Sequence, residues 1–155
     1  MSEEFMKRAI DLSKENLITN LGGPFGAVIA KDGKIIGQGS NRVTSLNDPT
    51  AHAEIMAIRD ACKNLESFSL DGSEIYTSCE PCPMCLAAIY WARISRIYYA
   101  NTRVDVALIG FDDAYIYDQI SLSADKRDIK MEKIDFPRAL EVFKQWKQKK
   151  DKTEY

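Results

Sequence analysis

Apolar residues at Phe5, Met6, Ala9, Ile10 and Leu17 recur at helical spacing behind Ser2 and two glutamates. The pattern predicts an amphipathic helix over residues 3–20, ended by Gly22-Gly23-Pro24. Residues 25–31 and 34–41 then read as two strands joined at Asp32-Gly33, a dipeptide suited to a tight hairpin. Thr50 is placed to cap a helix over 50–64 that buries Ile55, Met56, Ile58 and Ala61. A buried strand is predicted at 74–78, a helix over 83–92 with Pro83 in its first position, and a strand at 94–100. An irregular segment follows, then a short strand near 129–133 and a last helix over 136–150. Strands interleaved with helices at this spacing predict an α/β fold, a three-layer αβα sandwich. Its central sheet would be mixed, with about five strands, because the first pair is a hairpin.

Composition narrows the class. The 155 residues, 45% hydrophobic and 28% charged, suit one globular domain. The first residues carry Glu3, Glu4, Lys7, Arg8 and Asp11, so no apolar run there has the length of a signal peptide or membrane span, and a cytoplasmic protein with no membrane partner is expected. A net charge of −2 argues against a phosphate-binding surface and favours a small substrate over nucleic acid. The basic end of the last helix, from Lys144 to Lys152, reads as a solvated face that suits a helix C-terminus.

The chemistry concentrates in SCEPCPMC, residues 78–85, where Cys79, Cys82 and Cys85 are three apart. Neighbours on one short turn do not bridge easily, so metal binding is favoured over a disulfide framework. The chain has one histidine, His52, in Thr50-Ala51-His52-Ala53-Glu54. Cys82 and Cys85 fall in the first turn of a helix, near backbone N–H groups that favour thiolate. With His52 they make a three-ligand zinc set whose fourth position stays open for water. Cys79 could close that position and convert the site into a structural zinc module of a non-enzymatic protein. Glu54 favours the open reading, since a carboxylate beside metal-activated water is a ready general acid/base. Cys62 and Cys79 read as buried core thiols. An iron–sulfur cluster lacks a fourth cysteine in the run, and a cysteine-protease pairing with His52 leaves Glu54 without a role.

The histidine-x-glutamate pair followed by Pro81-Cys82-Pro83-Met84-Cys85 resembles the signature of zinc nucleobase deaminases. The chain further resembles bacterial guanine deaminases of the cytidine-deaminase superfamily. The resemblance runs through GGPFGAVI (22–29), NDPTAHAE (47–54), YTSCEPCPMC (76–85), AIYWAR (88–93), GFDDAYIY (110–117) and the terminal Glu154-Tyr155. It implies zinc on His52, Cys82 and Cys85, a proton shuttle at Glu54, and base contacts from Asn41 and Phe25. It also implies a second carboxylate at Asp113, rather than Asp112, and a closing aromatic at Tyr155. The implied reaction is hydrolysis of guanine to xanthine and ammonia by zinc-bound hydroxide. The implied assembly is a cytoplasmic homodimer in which a C-terminal segment, about 136–155, is exchanged between subunits.

The chemistry of guanine agrees with that assignment. Its N1–H and 2-amino groups are donors on one edge, which a carboxylate such as Asp113 accepts, whereas the acceptors of cytosine would meet it poorly. The Asn41 amide can donate to a purine acceptor, and Phe25 or Trp91 can stack on the ring. The competing readings are a related deaminase acting on guanosine, cytosine or a tRNA adenosine, and the structural zinc module.

Overall fold

The computed structural model describes every residue except Asp112, so the expected contrast between Asp112 and Asp113 lies outside the described residues. The chain divides into two compact units, Met1–Ile116 and Tyr117–Tyr155. Its helices are α1 (Glu3–Thr19), α2 (Val43–Leu46), α3 (Ala53–Leu65), α4 (Pro83–Trp91), α5 (Arg103–Ala107), α6 (Ala114–Ser121) and α7 (Pro137–Gln148). Its strands are β1 (Gly26–Lys31), β2 (Lys34–Ser40), β3 (Glu74–Cys79) and β4 (Arg96–Asn101), in sheet order β2-β1-β3-β4. β1 runs antiparallel to β2 and β3, while β3 and β4 are parallel. The mixed sheet is therefore as expected, with four strands among the described residues rather than five.

The hairpin forms as its dipeptide predicts. Asp32 and Gly33 both take positive φ, 50° and 73°, the conformation that a two-residue turn between twisted strands requires. Along β1 the period-two alternation then feeds two cores. Val28 and Ala30 meet Phe5, Met6, Ala9 and Leu12 of α1, together with Tyr76. Ala27 and Ile29 meet Ala53, Ala57 and Ala61 of α3, with Ile75 and with Ile89 of α4. Helices thus cover both sheet faces, giving the three-layer α/β/α architecture.

α3 sits unusually close to β2 because both partners have small residues at the contact. A Cβ at Gly39 would stand 2.5 Å from Ala57 N, and one at Gly37 would stand 2.5 Å from Ala61 N. This backbone-to-backbone seat places the first turn of α3 where the chain needs it for the site below.

Three local expectations are corrected. Thr50 does not cap α3: its N–H and hydroxyl both donate to Asp48 Oδ1, at 2.8 and 2.6 Å, and His52 takes the N-cap position. The segment after β4 is not irregular, because Thr102 and Asp105 form a reciprocal capping box that starts α5. Residues 129–133 form no strand, so the fifth strand is absent from the sheet.

The second unit contains the end of α6, a short 3₁₀ turn at Ala124–Lys126 and α7. Arg127 organises its first half, donating from Nε to the carbonyls of Gln119 and Leu122, both at 3.1 Å. No residue of this unit is buried, and Leu140, Phe143 and Trp146 of α7 are exposed. No helix among the described residues is long and apolar enough to cross a membrane.

Candidate active site

Two helix starts carry the chemistry, and they are built alike. His52 is the N-cap of α3 with extended backbone (φ −67°, ψ 159°), and Cys82 is the N-cap of α4 in nearly the same conformation (φ −65°, ψ 167°). Each main-chain carbonyl accepts the first helical bond, from Met56 N and Leu86 N respectively. Neither side chain caps its own helix, so both are free to turn toward each other. Pro83 fits the first position of α4, where its missing N–H costs nothing, and Cys85 follows one turn after Cys82.

The outcome is a compact ligand group. His52 Nδ1 lies 3.6 Å from Cys82 Sγ and 3.5 Å from Cys85 Sγ, and all three ligand atoms fall within 4.8 Å of one another. Bond lengths of about 2.0–2.1 Å to nitrogen and 2.3 Å to sulfur, at tetrahedral angles, put N and S about 3.6 Å apart. The donor set and its spacing therefore fit zinc. Cys79 stands outside the group: its thiol points to the Thr102 carbonyl, 3.8 Å away, and burial pushes it up to about 11.

Charge in the group is strongly coupled. The hydrogen bond from Cys85 pulls the Cys82 thiol down to about 4, and His52 strengthens the effect. The bond with Cys82 in turn raises His52. Cys85, sharing a proton with Cys82 and deeply buried, is pushed far upward. A dication is the partner that allows both sulfurs to be thiolates at once. Glu54, in the first turn of α3, is 8% exposed, and burial lifts its carboxyl to about 7.

These groups open on a cavity of about 250 Å³. Phe25, Asn41, His52, Glu54, Cys82 and Asp113 all line it, so the structure gathers most of the residues that the sequence singled out. Asn41 is 5% exposed, and its Oδ1 accepts from Gly23 N and Val43 N, both at 3.1 Å. Sequence reasoning missed Val43, Thr44, Pro49, Val106 and Phe111, which also form the wall. Phe111 meets Phe25 edge-on, with ring centroids 5.0 Å apart. The only signal for Phe111 was its place beside the aspartates of GFDD. Trp91 ends α4, is 65% exposed and does not line this cavity. Tyr155 is the exposed last residue of the second unit.

Residues 1–101 match the family model described as the cytidine and deoxycytidylate deaminase zinc-binding region. The chain belongs to this zinc-dependent deaminase family. Zinc is accordingly its cofactor, and the three-layer fold is that of the cytidine deaminases. Guanine deaminase from Bacillus subtilis (strain 168) is 51% identical over 153 residues, covering 99% of this chain and 98% of that protein. An X-ray structure of guanine deaminase from Bacillus subtilis superposes with a TM-score of 0.96 at 51% identity, covering 100% of this chain and 99% of the other. A tRNA-specific adenosine deaminase from Agrobacterium fabrum is 53% identical over 76 residues, about half of each chain (49% and 50%).

Proposed function

We propose that this protein hydrolyses guanine to xanthine and ammonia. The observation that carries the reading is the match to a guanine deaminase at 51% identity over 99% of the chain, where the tRNA deaminases match 49–75% of it. The cavity supports it. About 250 Å³ is below the roughly 300–1,000 Å³ of sites for drug-sized ligands and suits a bare base.

His52, Cys82 and Cys85 would hold the zinc. When bound, zinc lowers the pKa of a water molecule to about 7 and so provides a nucleophile at neutral pH. Glu54 takes the proton that this water loses and delivers it to the ring nitrogen beside the amino-bearing carbon. As the water oxygen bonds to that carbon and its second proton is passed through a carboxylate to the amino nitrogen, the C–N bond breaks, the oxygen becomes the carbonyl of xanthine and ammonia leaves. Asp113 accepts from the N1–H and amino edge of the base and serves as a second carboxylate for proton movement. Asn41 donates to a ring acceptor, and Phe25 stacks on the ring. Trp91 and Tyr155 have roles only if a second subunit completes the pocket.

The assembly follows from the second unit. A unit of this size with no buried residue lacks the core it needs to stand alone. The exposed Leu140, Phe143 and Trp146 of α7 give it an apolar face for another surface. The protein is read as one deaminase domain acting as a cytoplasmic homodimer in guanine catabolism, with about 136–155 exchanged between subunits and Tyr155 covering the partner's base.

A substrate panel tests the assignment. Ammonia release is followed with guanine, guanosine, cytosine, adenine and a tRNA anticodon stem. Guanine is expected to be turned over fastest. Preference for the tRNA stem would favour the second reading, which the half-length match to a tRNA-specific deaminase supports.

A further inference from the structure

The cavity contains no residue of α1, yet one side chain of that helix is hydrogen-bonded to its wall. Asn16, 3% exposed, reaches from the last turn of α1 and donates from Nδ2 to two carbonyls, Gly23 O and Asn41 O, both at 2.8 Å. These carbonyls belong to separate segments, the loop entering β1 and the end of β2. Asn16 is thus a clamp between them, using both hydrogens of one amide.

What the clamp holds is the orientation of Asn41. Two backbone N–H groups, of Gly23 and Val43, converge on one atom of the Asn41 amide, so that atom must be the oxygen. Asn41 Nδ2 is then the remaining polar atom of the amide, and it donates to no acceptor among the described residues. Gly23 supplies both sides of the arrangement, since its N–H donates to Asn41 Oδ1 while its carbonyl accepts from Asn16. Gly22 seals the seat: a Cβ there would collide with the Asn41 carbonyl oxygen and stand 2.5 Å from Asn41 Oδ1.

We propose that Asn16 is a positioning residue for base recognition, fixing through Gly23 and the Asn41 backbone the direction in which Asn41 presents its amide donor to the ring. The inference rests on the reading of the cavity as a base pocket. Removing the Asn16 amide leaves the buried Asn41 carbonyl without a donor and the Gly23 carbonyl with Phe25 N alone, at 2.8 Å, so the tie from α1 to the Gly22-Gly23 loop is lost. The Asn41 donor then loses its fixed aim, and the base binds less tightly. The metal ligands, on α3 and α4 across the sheet, are unaffected.

A double-mutant cycle tests this. Asn16→Ala, Asn41→Ala and the double variant are compared with wild type for KM and kcat on guanine, for zinc content, and for calorimetric binding of the product xanthine. Asn16→Ala is expected to raise KM and the xanthine dissociation constant about tenfold, with a smaller change in kcat and full zinc content. In the Asn41→Ala background the same change should have less than about a twofold effect, because both act through one contact. Asn16→Ser, which keeps one donor, should fall between and also covers poor folding of the alanine variant. Effects that multiply independently in the double variant would overturn the proposal, as would an unchanged KM in Asn16→Ala. Running the cycle on whichever base the substrate panel selects separates this inference from the guanine assignment.

Discussion

His52 and Cys85 are 33 positions apart in the chain, yet His52 Nδ1 stands 3.5 Å from Cys85 Sγ. Two helix starts on the same face of the sheet make that meeting possible, and it brings Cys82 and Cys85, rather than Cys79, beside the imidazole. One zinc per chain is therefore expected. Cys82→Ser, Cys85→Ser and His52→Ala should each lose it, while Cys79→Ser should keep it, because the Cys79 thiol is turned to the Thr102 carbonyl. Metal analysis of the purified variants checks this, and a zinc-free Cys79→Ser protein would mean a closed, structural site.

Glu54 combines burial with a place beside the ligand group. Replacing it with Gln preserves shape but removes the proton carrier, so kcat should fall by about 10²–10⁴ while zinc is retained. Asp113→Ala should weaken guanine turnover, again with zinc in place. Kinetics paired with metal content distinguish these outcomes from simple loss of the site. Normal ammonia release by zinc-loaded Glu54→Gln would remove its assigned role.

Gly39 tests the seat of α3 on the sheet. An added methyl would face Ala57 N at 2.5 Å and Ala53 O at 2.6 Å, both main-chain atoms that cannot swing aside. Gly39→Ala should cost about 1–3 kcal/mol in chemical denaturation. It should also weaken zinc retention, since Ala53 immediately follows His52. Gly33→Ala meets nothing within 4 Å and should leave zinc retention alone, losing stability only through its positive φ.

What the sequence made legible is local and chemical. Asp32-Gly33 announced the hairpin, Pro83 the start of α4, and the histidine-x-glutamate and C-x-x-C spacings the ligand group. Each of these signals is contained within a few residues. The fifth strand failed for the opposite reason: Ile129 and Met131 alternate with charged residues as a strand would, but a strand exists only through a paired neighbour, and the segment does not encode one. Thr50 misled because the carboxylate of Asp48, two residues earlier, captured its hydroxyl. Much of the cavity wall was hidden because Val43, Pro49 and Val106 are ordinary residues whose role comes from where the fold puts them. The Thr102 and Asp105 capping box was readable and would have located α5.

The exposed apolar face of α7 and the terminal Tyr155 predict that association and activity are linked. The protein should run as a dimer in sedimentation. Removing Glu154 and Tyr155 should lower guanine turnover without loss of zinc, and the truncated enzyme should discriminate less against guanosine, since a covered site leaves less room for a ribose. A fully active truncated enzyme, or an active monomer at assay concentration, would refute the closing role.

The central claim is most directly tested by product stoichiometry in the purified zinc-loaded protein, with guanine loss and xanthine gain followed by absorbance and ammonia measured in the same sample. The account predicts one xanthine and one ammonia for each guanine consumed, with activity lost on chelation and recovered on adding zinc. Guanine left intact by protein carrying one zinc per chain, or conversion that persists after the metal is removed, would contradict it.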